Sequence, residues 1–352
     1  MNAILTLSLK EDNDMKAAIY KGNKTFCTGE SRMIPPGRGE VSLKVAYCGI
    51  CGTDVHIYHG EMDRRVNIPQ VIGHEVSAEV IAAGEGVTGM HPGDKVVVRP
   101  LKPGPPVPSD KGYTHIGKHL RFMGIDTPGG MQHYWTVPAD TLHHLPSGVS
   151  LQHGALIEPL AVACHDVRIG RVEAGEHAVV IGGGPIGMLI ALVIRAKGGK
   201  VLLAEVNEHR LKLAAELGIS GVNPMQRDLA AAVEDFSAGA MADVVFEVSG
   251  SAAGVKEMTR LPNIRGRIVM VAIHAAAREV DLFSFFWKEI EMRGARVYEP
   301  EDFEAALSLA ADGLVPLPAL ISGVAGIDQV QEVFEQIDRH PEGMKYLIDC
   351  NS

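Results

Sequence analysis

The chain changes rhythm halfway along. From residue 15 to about 144 the hydrophobic positions favour period two. Residues 41–47 alternate apolar and polar as a half-buried strand does, and 76–82 and 94–98 are further β-rich runs. Pro35-Pro36-Gly37, Pro92-Gly93, Pro103-Gly104-Pro105-Pro106 and Pro128-Gly129-Gly130 punctuate these runs with turn signals. From 177 onward, short apolar runs alternate with helical stretches. Residues 177–181 read as a strand, 188–196 as a helix, 200–205 as a strand and 208–217 as a helix, with strands again at 242–248 and 267–273. That alternation predicts a doubly wound parallel sheet with helices on both faces. Past about Arg293 the character is mixed: an amphipathic helix at 300–311, a helix at 327–338 and a closing strand at 345–348. The expected class is α/β, with a β-rich domain at 15–158 and 295–352, a nucleotide-binding domain at 159–294, and an extension at 1–14.

At 352 residues the length suits two domains. The chain is 46% hydrophobic and 22% charged, ample for sizeable cores. A net charge of -10 argues against nucleic acid as a partner. Five dispersed cysteines do not form a disulfide framework, which points to a reducing cytoplasm. The N-terminus has no basic region and too short an apolar run for a signal peptide. No stretch approaches the roughly twenty apolar residues that span a bilayer, so no membrane is expected. The least regular segment is 100–130. Between 99 and 121 it carries Arg99, Lys102, Lys111, Lys118 and Arg121 against a single Asp110. A solvated loop or subunit contact is the ordinary reading of such a run, and an anion site the alternative.

The chemistry concentrates in Cys48-Gly49-Ile50-Cys51-Gly52-Thr53-Asp54-Val55-His56, followed by Gly73-His74-Glu75 and, much later, Glu158-Pro159. Thiolate, imidazole and carboxylate on separate segments suit a catalytic zinc, which needs three protein ligands and an open position. Cys48 and Cys51 also make a C-x-x-C, the mark of a redox pair or half a structural zinc knuckle. No second C-x-x-C completes a knuckle, and a redox pair gives Thr53, Asp54 and His56 no role. Gly182-x-Gly184-x-x-Gly187, with Pro185 and Ile186 inside it, fits a dinucleotide fingerprint between a strand and a helix. Glu205 ends the next strand eighteen residues after Gly187, where a ribose-binding acid belongs.

Together these motifs, with Gly93-Asp94-Lys95-Val96 and 156–162, resemble the zinc-containing medium-chain dehydrogenases, and above all the sorbitol and threonine dehydrogenase branch. The resemblance runs from Met15 over nearly the whole chain. It implies a GroES-like catalytic domain beside a Rossmann domain. It implies zinc ligands Cys51 and His74, with Glu75 and Glu158 sharing the remaining place directly or through water. Thr53 matches the hydroxyl that touches the substrate alcohol, His56 the proton-relay histidine, and Asp54 the carboxylate that orients the ligand histidine. Glu205 matches the ribose-binding acid, Arg210 a basic residue beside it, and Lys345 a basic residue near the cofactor phosphates. Ile57, Phe122, Arg296 and Tyr298 match pocket-lining positions. Many members hold a structural zinc with four close cysteines. The corresponding 100–130 segment here has none, so one zinc per chain is expected.

The expected reaction is hydride transfer between NAD and a secondary alcohol of a polyol, sugar derivative or hydroxy-amino acid, threonine included. Zinc supplies the Lewis acidity that makes an alcohol proton removable at neutral pH, and the nicotinamide takes the hydride. The expected partners are the alcohol or ketone and further copies of the chain, as a dimer or tetramer. A non-catalytic dinucleotide-binding protein would show a broken ligand set or relay, and both are intact. A nucleic-acid-binding zinc protein would need a paired C-x-x-C and a basic surface, and both are missing.

Overall fold

The structure is a computed structural model that describes residues 15–352 except Ala275. The expected extension at 1–14 lies outside the described residues. Strand Glu40–Gly49 is the centre of the first sheet. It pairs antiparallel with Glu75–Ala83 on one side and with Lys345–Asp349 on the other, and Tyr134–Pro138 joins its early half. Val41, Leu43 and Val45 alternate into the core, the period-two burial that the sequence pattern implies. The register sets Gly49 opposite Glu75 on one neighbour and opposite Leu347 on the other. One end of this sheet therefore gathers residues from the first quarter and the very end of the chain.

The second sheet has six parallel strands, from His177–Ile181 through Glu291–Gly294. Numbered in chain order they lie 3-2-1-4-5-6, the Rossmann arrangement. Alternate side chains leave opposite faces. Ala178, Val180, Leu203 and Phe246 enter a core continuous with the first sheet. Val179, Ile181, Leu202 and Val245 enter a separate core on the far face.

The sequence pattern did not reveal the strand Ser220–Val222, the helices Leu229–Phe236, Ala252–Met258 and Leu282–Lys288, or the strand Glu291–Gly294. All are short, and several turn little apolar surface inward, so their periodicity is weak. The helix Ile157–Ile169 lay under a motif and went unread. It is buried on most sides between Pro185–Ala196 and Pro300–Ala311, which erases a one-faced pattern.

A buried ionic network fastens Pro300–Ala311 to that helix. Asp302 accepts from Arg168 Nε at 2.6 Å, from His165 Nδ1 at 2.8 Å and from the Glu299 amide at 2.9 Å. Burial pushes the Asp302 pKa up, but these donors outweigh it and hold the carboxyl well below its usual range. A depressed folded pKa adds stability above the unfolded value, near 4, that is lost as pH falls through and below it. Asp302→Asn is expected to lower unfolding free energy by about 2–3 kcal/mol at pH 7. The deficit should shrink below about pH 4, which denaturant titrations at pH 7 and pH 3.5 would check.

Candidate active site

Helix Gly52–Tyr58 starts at Cys51, and its third residue closes the turn. Asp54 Oδ2 accepts from the Cys51 amide at 2.9 Å. The other oxygen, Oδ1, faces His74 Nδ1 at 3.6 Å, both groups being buried. One carboxylate thus fixes the helix start that presents the thiol and sets its second oxygen beside the imidazole of His74. Gly73 has φ +95°, a left-handed turn that swings His74 inward, and a Cβ there would lie 2.6 Å from Cys48 Sγ.

The ligand atoms of Cys51, His74 and Glu75 lie within 4.8 Å of one another. Glu75 Oε2 and His74 Nδ1 are buried without hydrogen-bond partners, a costly state for polar atoms. Sulfur, nitrogen and oxygen converging around an unsatisfied carboxylate oxygen fit a zinc ion. Burial pulls the His74 pKa down, and Asp54 and Cys51 outweigh it and hold it well up. Glu158 is buried beside this cluster, and its Oε1 accepts from the Tyr298 hydroxyl at 2.8 Å. Burial, with Glu75 nearby, pushes Glu158 up to about 7 against the pull of His74. A divalent cation would reverse that direction.

Cys48 is fully buried, and burial pushes its thiol well up. It is an inert core thiol, and both cysteines of the C-x-x-C are free. A second trio, His165, Glu299 and Asp302, also has converging ligand atoms. Arg168 already binds both of its carboxylates, so this trio is an ion-pair network.

Thr53 is half-buried, and among the described residues its side chain makes no hydrogen bond. His56 is exposed one turn along the same helix, with Nδ1 2.6 Å from Glu61 Oε2. The two share a helix without direct contact, so a proton passing between them needs a bridging hydroxyl or water.

In the nucleotide half, Gly184 caps helix Pro185–Ala196, with Pro185 in the first turn. The free amides of that turn, Ile186 among them, form an anion-binding end. A Cβ on Gly187 would meet Gly182 O at 1.9 Å, so only glycine lets this helix approach the turn. Glu205 Oε2 accepts from the Gly183 amide at 2.7 Å, and Oε1 accepts from the amides of Val206 and Asn207 at 2.7 and 2.8 Å. Arg210 Nη1 stands 3.6 Å from Glu205 and its other nitrogens reach the carbonyls of Pro341 and Glu342. Glu205 is therefore also a brace for the glycine turn, a role its position in sequence does not disclose.

Lys345 is the correction. The residue is 3% exposed, and its ammonium donates to Ile50 O at 2.9 Å and to Glu75. It neutralises a carboxylate of the metal cluster, a partner that the expected place near the cofactor phosphates did not include. The strand pairing explains this, because residues near Gly49, Glu75 and Lys345 share one sheet end. No local signal could have shown it.

These features define a zinc-containing medium-chain dehydrogenase, and the chain belongs to that family. Residues 37–147 match the alcohol dehydrogenase GroES-like domain, and 185–312 match the zinc-binding dehydrogenase domain. It is 54% identical over 339 residues to a 2-dehydro-3-deoxy-L-galactonate 5-dehydrogenase of Pseudoalteromonas atlantica, covering 96% of this chain and 99% of that one. It is 32% identical to a sorbitol dehydrogenase of Halalkalibacterium halodurans, covering 95% and 99%. The crystal structure of 2R,3R-butanediol dehydrogenase from Bacillus subtilis superposes with a TM-score of 0.88 at 30% identity, covering 96% of this chain and 99% of that one. The protein is thus a zinc-binding dehydrogenase, an oxidoreductase.

Proposed function

We propose that this enzyme oxidises the C5 hydroxyl of a 2-keto-3-deoxy sugar acid, passing hydride to NAD. The observation that carries this is the 54% identity, over nearly the full length of both chains, to a protein named for that reaction. In this reading Cys51, His74 and Glu75 hold the zinc, and Glu158 stands at its open side. The unpartnered Glu75 Oε2 favours Glu75 as the direct ligand. Thr53 receives the alcohol proton, and His56 with Glu61 passes it to solvent. Residues 15–158 and 295–352 serve as the catalytic domain and 159–294 as the cofactor domain. A panel of 2-keto-3-deoxy-L-galactonate, L-galactonate, sorbitol and threonine, followed by NADH absorbance, tests the reading. The keto-deoxy acid is expected to give the highest kcat/KM. A higher value for sorbitol or threonine would refute the substrate.

We further infer a cytoplasmic homo-oligomer. No helix among the described residues is long and apolar enough to cross a membrane. Helix Leu282–Lys288 exposes Phe286 (78%) and Trp287 (71%) beside the open edge strand Glu291–Gly294. An exposed edge and a large apolar patch together suit a second copy. Phe286→Glu is expected to shift the protein to monomer mass in sedimentation. A monomeric parent would contradict the oligomer.

A further inference from the structure

His74 has two sets of close neighbours. Asp54 faces its Nδ1 at 3.6 Å. The other set is the turn at residues 122–127. The Phe122 ring meets the imidazole edge-on, with centroids 5.0 Å apart. Gly124, at φ +89°, passes hard against the same backbone. A Cβ there would lie 2.3 Å from Gly73 O and 3.1 Å from His74 Cβ. Gln70, shortly before His74, donates to Ile125 O at 2.9 Å. Phe122, Met123 and Ile125 are buried.

One carboxylate shapes this turn. Asp126 Oδ2 accepts from the Phe122 amide at 2.7 Å, and the Asp126 amide donates to Phe122 O at 2.8 Å. These reciprocal bonds close the turn on itself. The same carboxylate takes both prongs of Arg65, Nε to Oδ1 at 2.6 Å and Nη2 to Oδ2 at 2.9 Å. Such a fork fixes direction as well as distance. Burial pushes the Asp126 carboxyl up, and Arg65 with the Phe122 amide outweighs it and holds the pKa below the usual range. Arg65 follows the helix Gly52–Tyr58, which Cys51 heads. The pair therefore ties the chain leaving the Cys51 helix to the turn that covers His74. Its side chains are 38% and 18% exposed, and an open pair of this kind stabilises a fold by about 1 kcal/mol or less. Its larger effect is on what it holds still.

We propose that Arg65 and Asp126 are positioning residues for the metal site, locking the 122–127 turn against His74 and so fixing how the imidazole meets the metal. The assignment rests on the ligand set Cys51, His74 and Glu75 proposed above. The two side chains act through Phe122 and Gly124. A ligand ring that can rock points its lone pair away from the ion for part of the time, so groups that orient ligands tune metal affinity by about 10- to 100-fold. A clamp one contact further out falls at the low end of that range.

The test follows zinc release from the loaded, full-length enzyme to a chromogenic chelator, beside melting temperature and steady-state kinetics. Asp126→Asn exchanges one acceptor oxygen for a donor. Arg65→Gln removes the fork and leaves the turn's own bonds in place, so it stands in if the first variant does not fold. Each is expected to speed zinc release about 10-fold and to lower kcat by about the same factor, with KM for NAD unchanged. Arg65→Lys keeps the charge without the fork and should recover part of the loss. The double variant should be no worse than the single ones, because the two residues act as one unit. A lower melting temperature with zinc release and kcat at parent values would make the pair merely structural and overturn the proposal. His74→Ala separates the two readings. Zinc held as tightly in that variant as in the parent overturns the ligand set and the clamp together. Zinc lost from it but retained in the Arg65 and Asp126 variants overturns the clamp alone.

Discussion

Cys51→Ala is expected to lower turnover by roughly a thousandfold or more and to release the zinc, while Cys48→Ala keeps both activity and metal. The two cysteines are three residues apart in different physical states. Cys51 heads a helix, beside His74 and Glu75. Cys48 points into the core against Gly73, where burial keeps it a thiol. Its replacement should cost stability of about 1 kcal/mol through a small cavity. Metal analysis of the parent should give about one zinc per chain, because a single open ligand set is present among the described residues. Activity surviving in Cys51→Ala but not in Cys48→Ala would reverse the assignment. Two zincs per chain would show that a second site had been overlooked.

Glu205→Ser is expected to move the NADP-to-NAD ratio of kcat/KM upward by roughly 100-fold. A carboxylate where the adenosine ribose belongs accepts from its hydroxyls and repels a 2′-phosphate. Arg210, 3.6 Å away, is then released to meet that phosphate. A cost accompanies the switch. Glu205 accepts from three backbone amides around the glycine turn, and serine cannot reach them all. A fall in melting temperature with a rise in KM for both cofactors is therefore expected alongside the changed ratio. Kinetics with each cofactor in parent and variant would check this. A parent that already prefers NADP, or a ratio that does not move, would remove Glu205 from cofactor selection.

The sequence by itself carried the features whose physics is local. Period-two alternation announced the strand Glu40–Gly49, and apolar runs alternating with helices announced a parallel sheet and four of its six strands. The helix Pro300–Ala311 was legible to the residue, because Pro300 and the acidic first turn mark its start. The glycine spacing was readable because backbone close approach leaves no alternative residue. Cys51 and His74 stood out by their types and their place in ordered motifs, while the third ligand stayed open between Glu75 and Glu158 until the fold gathered Cys51, His74 and Glu75. What the sequence withheld was set by long-range pairing. Lys345 looked like a phosphate ligand until antiparallel pairing set its strand against Glu40–Gly49 and carried its ammonium to Glu75. The double duty of Glu205 and the inertness of Cys48 likewise depend on neighbours distant in the chain. Burial, partner and net charge at a site are sums over what the fold brings together, and no local run of residues contains those terms.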